Sequence, residues 1–247
     1  MKPFLRWLGL LALAMLVMQL YFVARIATMV VVDPQSTAFQ RSEAWRLAHE
    51  QESPTWHQQW VPYAQISTQL KRAVVASEDD GFSTHDGVDW DALEKAWQKN
   101  AKAEASAAQR AQAAAAKGKT TTRPAKVIGG STITQQLAKN LFLSGERTLL
   151  RKGQEFVLTM LLEALLSKER ILEIYLNSVE WGEGIFGAEA AAQHYFHKPA
   201  AKLQAYEAAR LAVMLPRPKY FQKLPNSSYV SGRANVIVGR MGEAALP

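Results

Sequence analysis

The chain has 247 residues, 48% of them hydrophobic, which leaves room for one domain of ordinary to large size with a real core, plus an anchor. It has no cysteine, so disulfides, thiolate metal sites and thiol catalysis are excluded. The formal charge of +7 is uneven: residues 101–126 carry Lys102, Arg110, Lys117, Lys119, Arg123 and Lys126 against Glu104 alone, a tract that suits nucleic acid, anionic lipid or an acidic polymer without choosing among them.

From Trp7 to Ala24 the chain is apolar apart from Gln19, a run of 18 residues. At about 1.5 Å per residue that is roughly 27 Å, close to the hydrocarbon core of a bilayer at about 30 Å. Ile26 to Val32 extend the run toward the outer leaflet, with Arg25 placed to snorkel. Lys2 and Arg6 precede the span and argue for a cytoplasmic N-terminus, although Arg25 on the other flank weakens that bias. A cleaved signal peptide is the rival, but the run is longer than an ordinary h-region and no small-x-small site follows it cleanly, so a retained single anchor is expected. Asp33-Pro34 ends the span. Trp45, Trp56, Trp60 and Tyr63 then suit either a headgroup interface or the domain core.

Ile66, Leu70, Ala73, Val74 and Ser77 are spaced as the inner face of an amphipathic helix, which puts Glu78 at its C-terminal end. Glu78-Asp79-Asp80 sets three carboxylates in a row there, and crowding and the helix dipole both push a carboxyl pKa upward toward a general-base value. A solvated helix end and turn describes the same residues. Asp89 or Asp91 is the expected N-cap of the next helix. From Asn100 to Lys126 the composition is Ala-rich with Gln, Lys and Arg and has no apolar face beyond alanine, so a mobile, solvated excursion is expected.

Gly129-Gly130 gives a tight turn, and Thr132 with Gln135 forms a capping box that starts a helix with Ile133, Leu137 and Leu141 inward. The free amides there, with Lys139 further along, make an anion site or simply a well-capped structural helix. Arg147 precedes the next helix, on which Arg151, Lys152 and Glu155 share one face. That helix continues from Phe156 to Leu166 as apolar on nearly every side, so a central buried helix is expected. Three cations and a carboxylate at its mouth need partners or a ligand. Lys168 to Asn177 is a further helix, Ala188 to Phe196 a short one, and Leu203 to Leu215 the last core helix, ended by Pro216-Arg217-Pro218. His194 and His197 lack a third ligand at metal spacing. Strand-like alternation is scarce, so the domain is expected to be all-α in the main.

Four runs together resemble the peptidoglycan glycosyltransferases of glycosyltransferase family 51: Glu78 to Gly87, Gly130 to Asn140, Arg151 to Glu155 and Lys168 to Asn177, with Ala208 to Ala212 and Leu215-Pro216 a looser fifth. No Ser-x-x-Lys or Lys-Thr-Gly occurs, so the transpeptidase half of the penicillin-binding relatives is absent and the resemblance is to the monofunctional branch. It implies a lysozyme-like helical domain behind a single N-terminal transmembrane helix, acting at the bacterial inner membrane from the periplasmic side. It implies that lipid II is polymerised with the growing glycan strand as donor and undecaprenyl pyrophosphate as leaving group. Glu78 is then the general base, and Glu155 assists at the pyrophosphate, directly or through a divalent ion (Mg or Mn), with no cofactor required. Lys139, Arg147, Arg151 and Lys152 neutralise the diphosphate, and Ser131, Thr132, Gln135, Gln136 and Asn140 line the cleft. The implied partners are lipid II, the glycan strand, the membrane and other cell-wall synthesis proteins, with no nucleic acid. A hydrolase on the same scaffold and an inactive wall-binding scaffold are the competing readings. The expected division is residues 1–6 in the cytoplasm, 7–32 the anchor, 33–64 juxtamembrane, 65–225 the catalytic domain with the excursion at 100–126, and 226–247 a C-terminal segment.

Overall fold

The computed structural model describes residues 2–116, 129–146 and 148–247. Helix α1 (Lys2–Thr28) is the apolar run, long and apolar enough to cross a membrane. Its polar exception has a partner: Gln19 and Gln154 exchange amide hydrogen bonds at 2.9 and 3.3 Å, which satisfies both groups. The end of the run is not free. Ile26 and Met29 are buried in the domain core, and Arg170 fastens the exit by donating to the Met29 carbonyl at 2.8 Å and to Asp33 at 2.7 Å.

The remaining elements follow from strong local signals. Helix α2 (Ala38–Glu50) opens on a Thr37/Gln40 capping box, α3 (Thr68–Glu78) on Ser67, and α4 (Trp90–Ala115) on Asp89, whose carboxylate accepts from Ala92 N at 2.7 Å. Helices α5 (Ile133–Phe142), α6 (Leu149–Leu165), α7 (Lys168–Ser178), α8 (Ala188–Phe196), α9 (Ala205–Met214), α10 (Pro218–Phe221) and α11 (Ser228–Arg240) complete the helical set. Among the described residues three short strands, β1 (His57–Gln58), β2 (Glu180–Gly182) and β3 (Ile185–Phe186), form a small sheet in the order β1-β3-β2, with β1 parallel and β2 antiparallel to β3. The domain is therefore essentially all-helical.

Helix α3 packs against α9 and α11, while α5 packs against α6 and α7. Trp181 is fully buried and its indole donates to the Leu211 carbonyl at 3.1 Å, tying β2 to α9. The aromatic choice after the anchor resolves residue by residue. Trp56 stacks on Phe186 at 4.5 Å, Trp60 and Tyr63 pack against the core, and Trp45 is exposed.

Three expectations change. The core does not end with α9: Val230, Ala234 and Ile237 of α11 are buried with it, because the helix lays these well-spaced side chains on α3 and α9. Helix α6 is not buried all round. Glu155, Leu158, Thr159 and Leu162 face inward, whereas Leu149, Leu150, Phe156 and Val157 are exposed, so the continuous apolar run spans a buried face and an exposed one. Helix α4 runs unbroken to Ala115, past Asn100, where the excursion was expected to begin; Ala-rich sequence sustains the helix while burying only Ala96. The excursion's remainder, residues 117–126, and Arg147 lie outside the described residues.

The place of α11 in the core has a measurable consequence. Ile237→Ala, at a position 2% exposed, is expected to lower the unfolding free energy by about 2–5 kcal/mol. A change below about 0.5 kcal/mol in denaturant unfolding would show that α11 is an appendage instead.

Candidate active site

Glu78 ends α3 half-buried, and its Oε2 accepts from Gln136 Nε2 of α5 at 3.0 Å. Gln136 is held in turn by the Tyr175 hydroxyl, which donates to its Oε1 at 3.1 Å. Tyr175 is wholly enclosed, and burial, with Glu78 and Asp79 nearby, pushes its phenol well above the usual range, so it stays a donor. The Glu78 carboxyl lies above its ordinary value of 4.5, with burial the main cause, the Gln136 hydrogen bond opposing and the Asp79 charge adding. The direction matches the expectation from sequence, but the cause differs. Asp80 turns away to the surface and pairs with Arg240 at 3.2 Å, so a single neighbouring carboxylate, not two, acts on Glu78.

Asp79 has a different task. Its Oδ2 accepts the Ile133 N–H at 2.9 Å, and its Oδ1 faces His85 Nε2 at 2.8 Å. Because Gly87 N donates to His85 Nδ1 at 3.1 Å, the ring proton sits on Nε2 and donates to Asp79. The carboxylate thus satisfies an amide at the positive end of α5 and fixes the loop that follows it. Thr132 closes the other side: its hydroxyl donates to the Gly87 carbonyl at 2.7 Å and accepts from Gln135 N at 3.2 Å, while Gln135 returns the capping box at 3.1 Å. Gly87 has φ 84°, and a Cβ there would lie 2.8 Å from Thr159 and Glu163 side-chain atoms, so only glycine fits. Lys168 holds the same loop from α7, donating to the His85 carbonyl at 2.6 Å and to Glu163 at 2.8 Å above the buried Phe82 ring. Phe82, His85 and Gly87 shape the loop that follows Glu78.

The second part of the site is cationic. On α6, Arg151 donates to Glu155 Oε2 at 2.9 Å and the Lys152 ammonium to Oε1, so both oxygens of this carboxylate, 3% exposed, lie against cations. Lys139 of α5 reaches the same space. It keeps solvent contact along the cleft, yet the protein packed around it lowers its pKa; Glu155 opposes this and Arg151 and Lys152 reinforce it. These residues, with Ser131, Gln135, Gln136 and Asn140, line a cleft of about 520 Å³ that is also lined by Phe39, Val179, Glu180, Leu215, Pro216 and Pro218. An adjoining recess of about 270 Å³ is lined by Glu78, Ser131 and Thr132, and Ser131 borders both spaces.

The fold therefore gathers every proposed site residue among those it describes into two connected spaces. Thr132 and Gln135 differ from the rest, since their polar atoms are committed to capping α5. Among the described residues no three His, Asp or Glu side chains stand together to hold a metal ion. Glu155, with both oxygens on cations, offers no free donor set to a divalent ion. Sequence reasoning missed Tyr175, the clamp made by Asp79, and Glu180. Asp79 and Ile133 are far apart in the chain, and no local pattern joins them.

Residues 46–242 match the family described as Transglycosylase. The chain is 53% identical over 246 residues to the biosynthetic peptidoglycan transglycosylase of Burkholderia thailandensis, covering 98% of this chain and 88% of the relative. It is 52% identical over 246 residues to the protein of the same name from Burkholderia pseudomallei, with the same coverage. To that of Herminiimonas arsenicoxydans it is 50% identical over 248 residues, covering 100% and 99%.

The clamp and the surface pair beside it make a controlled comparison. Asp79→Ala strands the Ile133 amide and the His85 ring, and is expected to lower stability by about 1–3 kcal/mol. Asp80→Ala removes an exposed pair and should stay within about 0.5 kcal/mol of wild type. Equal unfolding midpoints for the two variants would show that Asp79 holds nothing together.

Proposed function

The chain belongs to the transglycosylase family and is a peptidoglycan glycosyltransferase, and we propose that it polymerises lipid II into β-1,4-linked glycan with release of undecaprenyl pyrophosphate. The observation that carries this is the pairing of a half-buried carboxyl of raised pKa, Glu78, with a neighbouring cleft walled by Lys139, Arg151 and Lys152. The C4 hydroxyl of the acceptor sugar sits in the recess at Glu78. Its oxygen forms the bond to the donor's anomeric carbon from the face opposite the leaving group, and its proton passes to Glu78. The bond from that carbon to the diphosphate oxygen breaks with inversion, and the electron pair leaves on the diphosphate. Charge growing there is met by the ammonium of Lys139 and Lys152 and the guanidinium of Arg151. Glu155 acts through the cations: it holds Arg151 and Lys152 on the cleft side of α6. Arg147 joins them in this reading.

The membrane supplies the geometry. Helix α1 suits a single-pass anchor, and Lys2 and Arg6 before the span favour a periplasmic catalytic domain. Trp90 of α4 meets Phe156 of α6 at 6.4 Å, and both are exposed beside Ser131, Gln135 and Lys152. Such an apolar rim lets the lipid tail remain in the bilayer while the diphosphate enters the cleft. A hydrolase has no diphosphate to bind and no use for this cationic wall.

Glu78→Gln is expected to lower the rate of lipid II polymerisation by about 10²–10⁴-fold without changing the melting temperature. In the wild type, kcat/KM should fall as the pH drops through the Glu78 pKa, with the acid limb above 4.5. Polymerisation by Glu78→Gln at the wild-type rate would remove Glu78 from the role of base, and release of soluble muropeptides from finished sacculi would replace synthesis by hydrolysis.

A further inference from the structure

Glu180 lines the same cleft as the cations, and nothing in the reaction above uses it. It opens strand β2, is 6% exposed, and lines the cleft with Val179, Leu215 and Pro216. Its Oε1 is closed to solvent on the Lys219 side, so Oε2 is the oxygen that can meet a ligand in the cleft, and no donor among the described residues lies within hydrogen-bond distance of either. The charged groups that surround it are committed elsewhere. Lys219 of α10 gives its ammonium to Glu43 and lies 3.6 Å from Glu180 Oε1, close enough for attraction but too far for a hydrogen bond. Arg46 of α2 is taken by Glu43, Glu50 and Glu183. On α8 the Tyr195 hydroxyl donates to the Trp181 carbonyl at 2.7 Å.

A buried carboxyl oxygen without a donor is unfavourable, and a fold keeps one where a ligand completes it. Burial pushes the Glu180 carboxyl up to about 7, with Lys219 and Arg46 opposing and Glu43 adding. The surroundings define what fits: an N–H to meet the oxygen, joined to a small apolar group to lie against Val179, Leu215 and Pro216. An acetamido group has both.

We propose that Glu180 reads an acetamido group of the sugar substrate, its carboxyl accepting the amide N–H while Val179, Leu215 and Pro216 pack the methyl. This rests on the glycosyltransferase reading, whose substrate carries acetamido groups on both sugars of the disaccharide. Glu180 touches no reacting atom and acts on binding and specificity. Gln at this position still offers an acceptor oxygen, whereas Leu fills the space and offers none.

The full-length protein in detergent is assayed with lipid II and with analogues bearing hydrogen in place of the acetamido group on one sugar or the other. Wild type is expected to show a KM for one analogue about 10–100-fold higher than for lipid II, and the sensitive analogue identifies which sugar is read. Glu180→Leu should raise the KM for lipid II by a similar factor with kcat little changed, and lose the discrimination. Glu180→Gln should keep both within about threefold. A second readout does not depend on the Leu variant folding. A ligand N–H stabilises the charged carboxylate, so binding of non-reacting lipid II near pH 7 should release protons from wild type in excess of those released from Glu180→Gln, as calorimetry in buffers of different ionisation enthalpy reports. Glu180→Leu with wild-type KM and discrimination, or equal proton release by wild type and Glu180→Gln, overturns the proposal. Absence of any polymerisation by wild type would instead bring down the glycosyltransferase reading on which it stands.

Discussion

One buried carboxylate, Asp79, joins the end of α3 to the start of α5, and the rest of the site is arranged around that join. By accepting the Ile133 amide it satisfies a donor at the positive end of a helix, where the dipole favours negative charge. By accepting from His85 it closes the loop from Phe82 to Gly87 back on itself. Thr132 and Lys168 then fasten the same loop through the Gly87 and His85 carbonyls. Glu78, one residue before this clamp, is left pointing at Gln136 and at the recess beside Ser131.

Adjacent carboxylates in this structure carry different roles because their surroundings differ. Glu78 has one amide hydrogen bond and much protein around it, so its charged form is disfavoured and it is suited to take a proton. Asp79 is fully engaged in holding structure. Glu155 lies between an ammonium and a guanidinium and organises positive charge facing the cleft. Glu180 is buried without a hydrogen-bond donor. Burial alone does not assign a role; the partners do.

Local chemistry was readable where it is local. The Thr132/Gln135 capping box, an N-cap for α4 at Asp89 or Asp91 (it is Asp89), the end of α3 at Glu78 and the shared face of Arg151, Lys152 and Glu155 all depend on residues within a turn or two, and the fold contains each of them. What escaped depends on distance or on the solvent. Asp79 meets Ile133 across 54 positions, a pairing that no periodicity encodes. Helix α11 hides its three core residues among Ser, Gly, Asn and Arg, so its inner face is sparse in sequence. Helix α6 read as buried on all sides because an apolar residue facing a neighbouring helix and one facing outward beside an anchor look alike in a sequence.

The central claim is that Glu78 is the base and that its pKa is set by burial against a single hydrogen bond from Gln136. Gln136→Leu removes the group that favours the ionised form while leaving the enclosure in place. The most direct measurement is the pH dependence of kcat/KM for lipid II polymerisation by this variant and by wild type. The account predicts that the acid limb of the variant moves to higher pH. An acid limb at the same pH in a folded, active Gln136→Leu protein would contradict it.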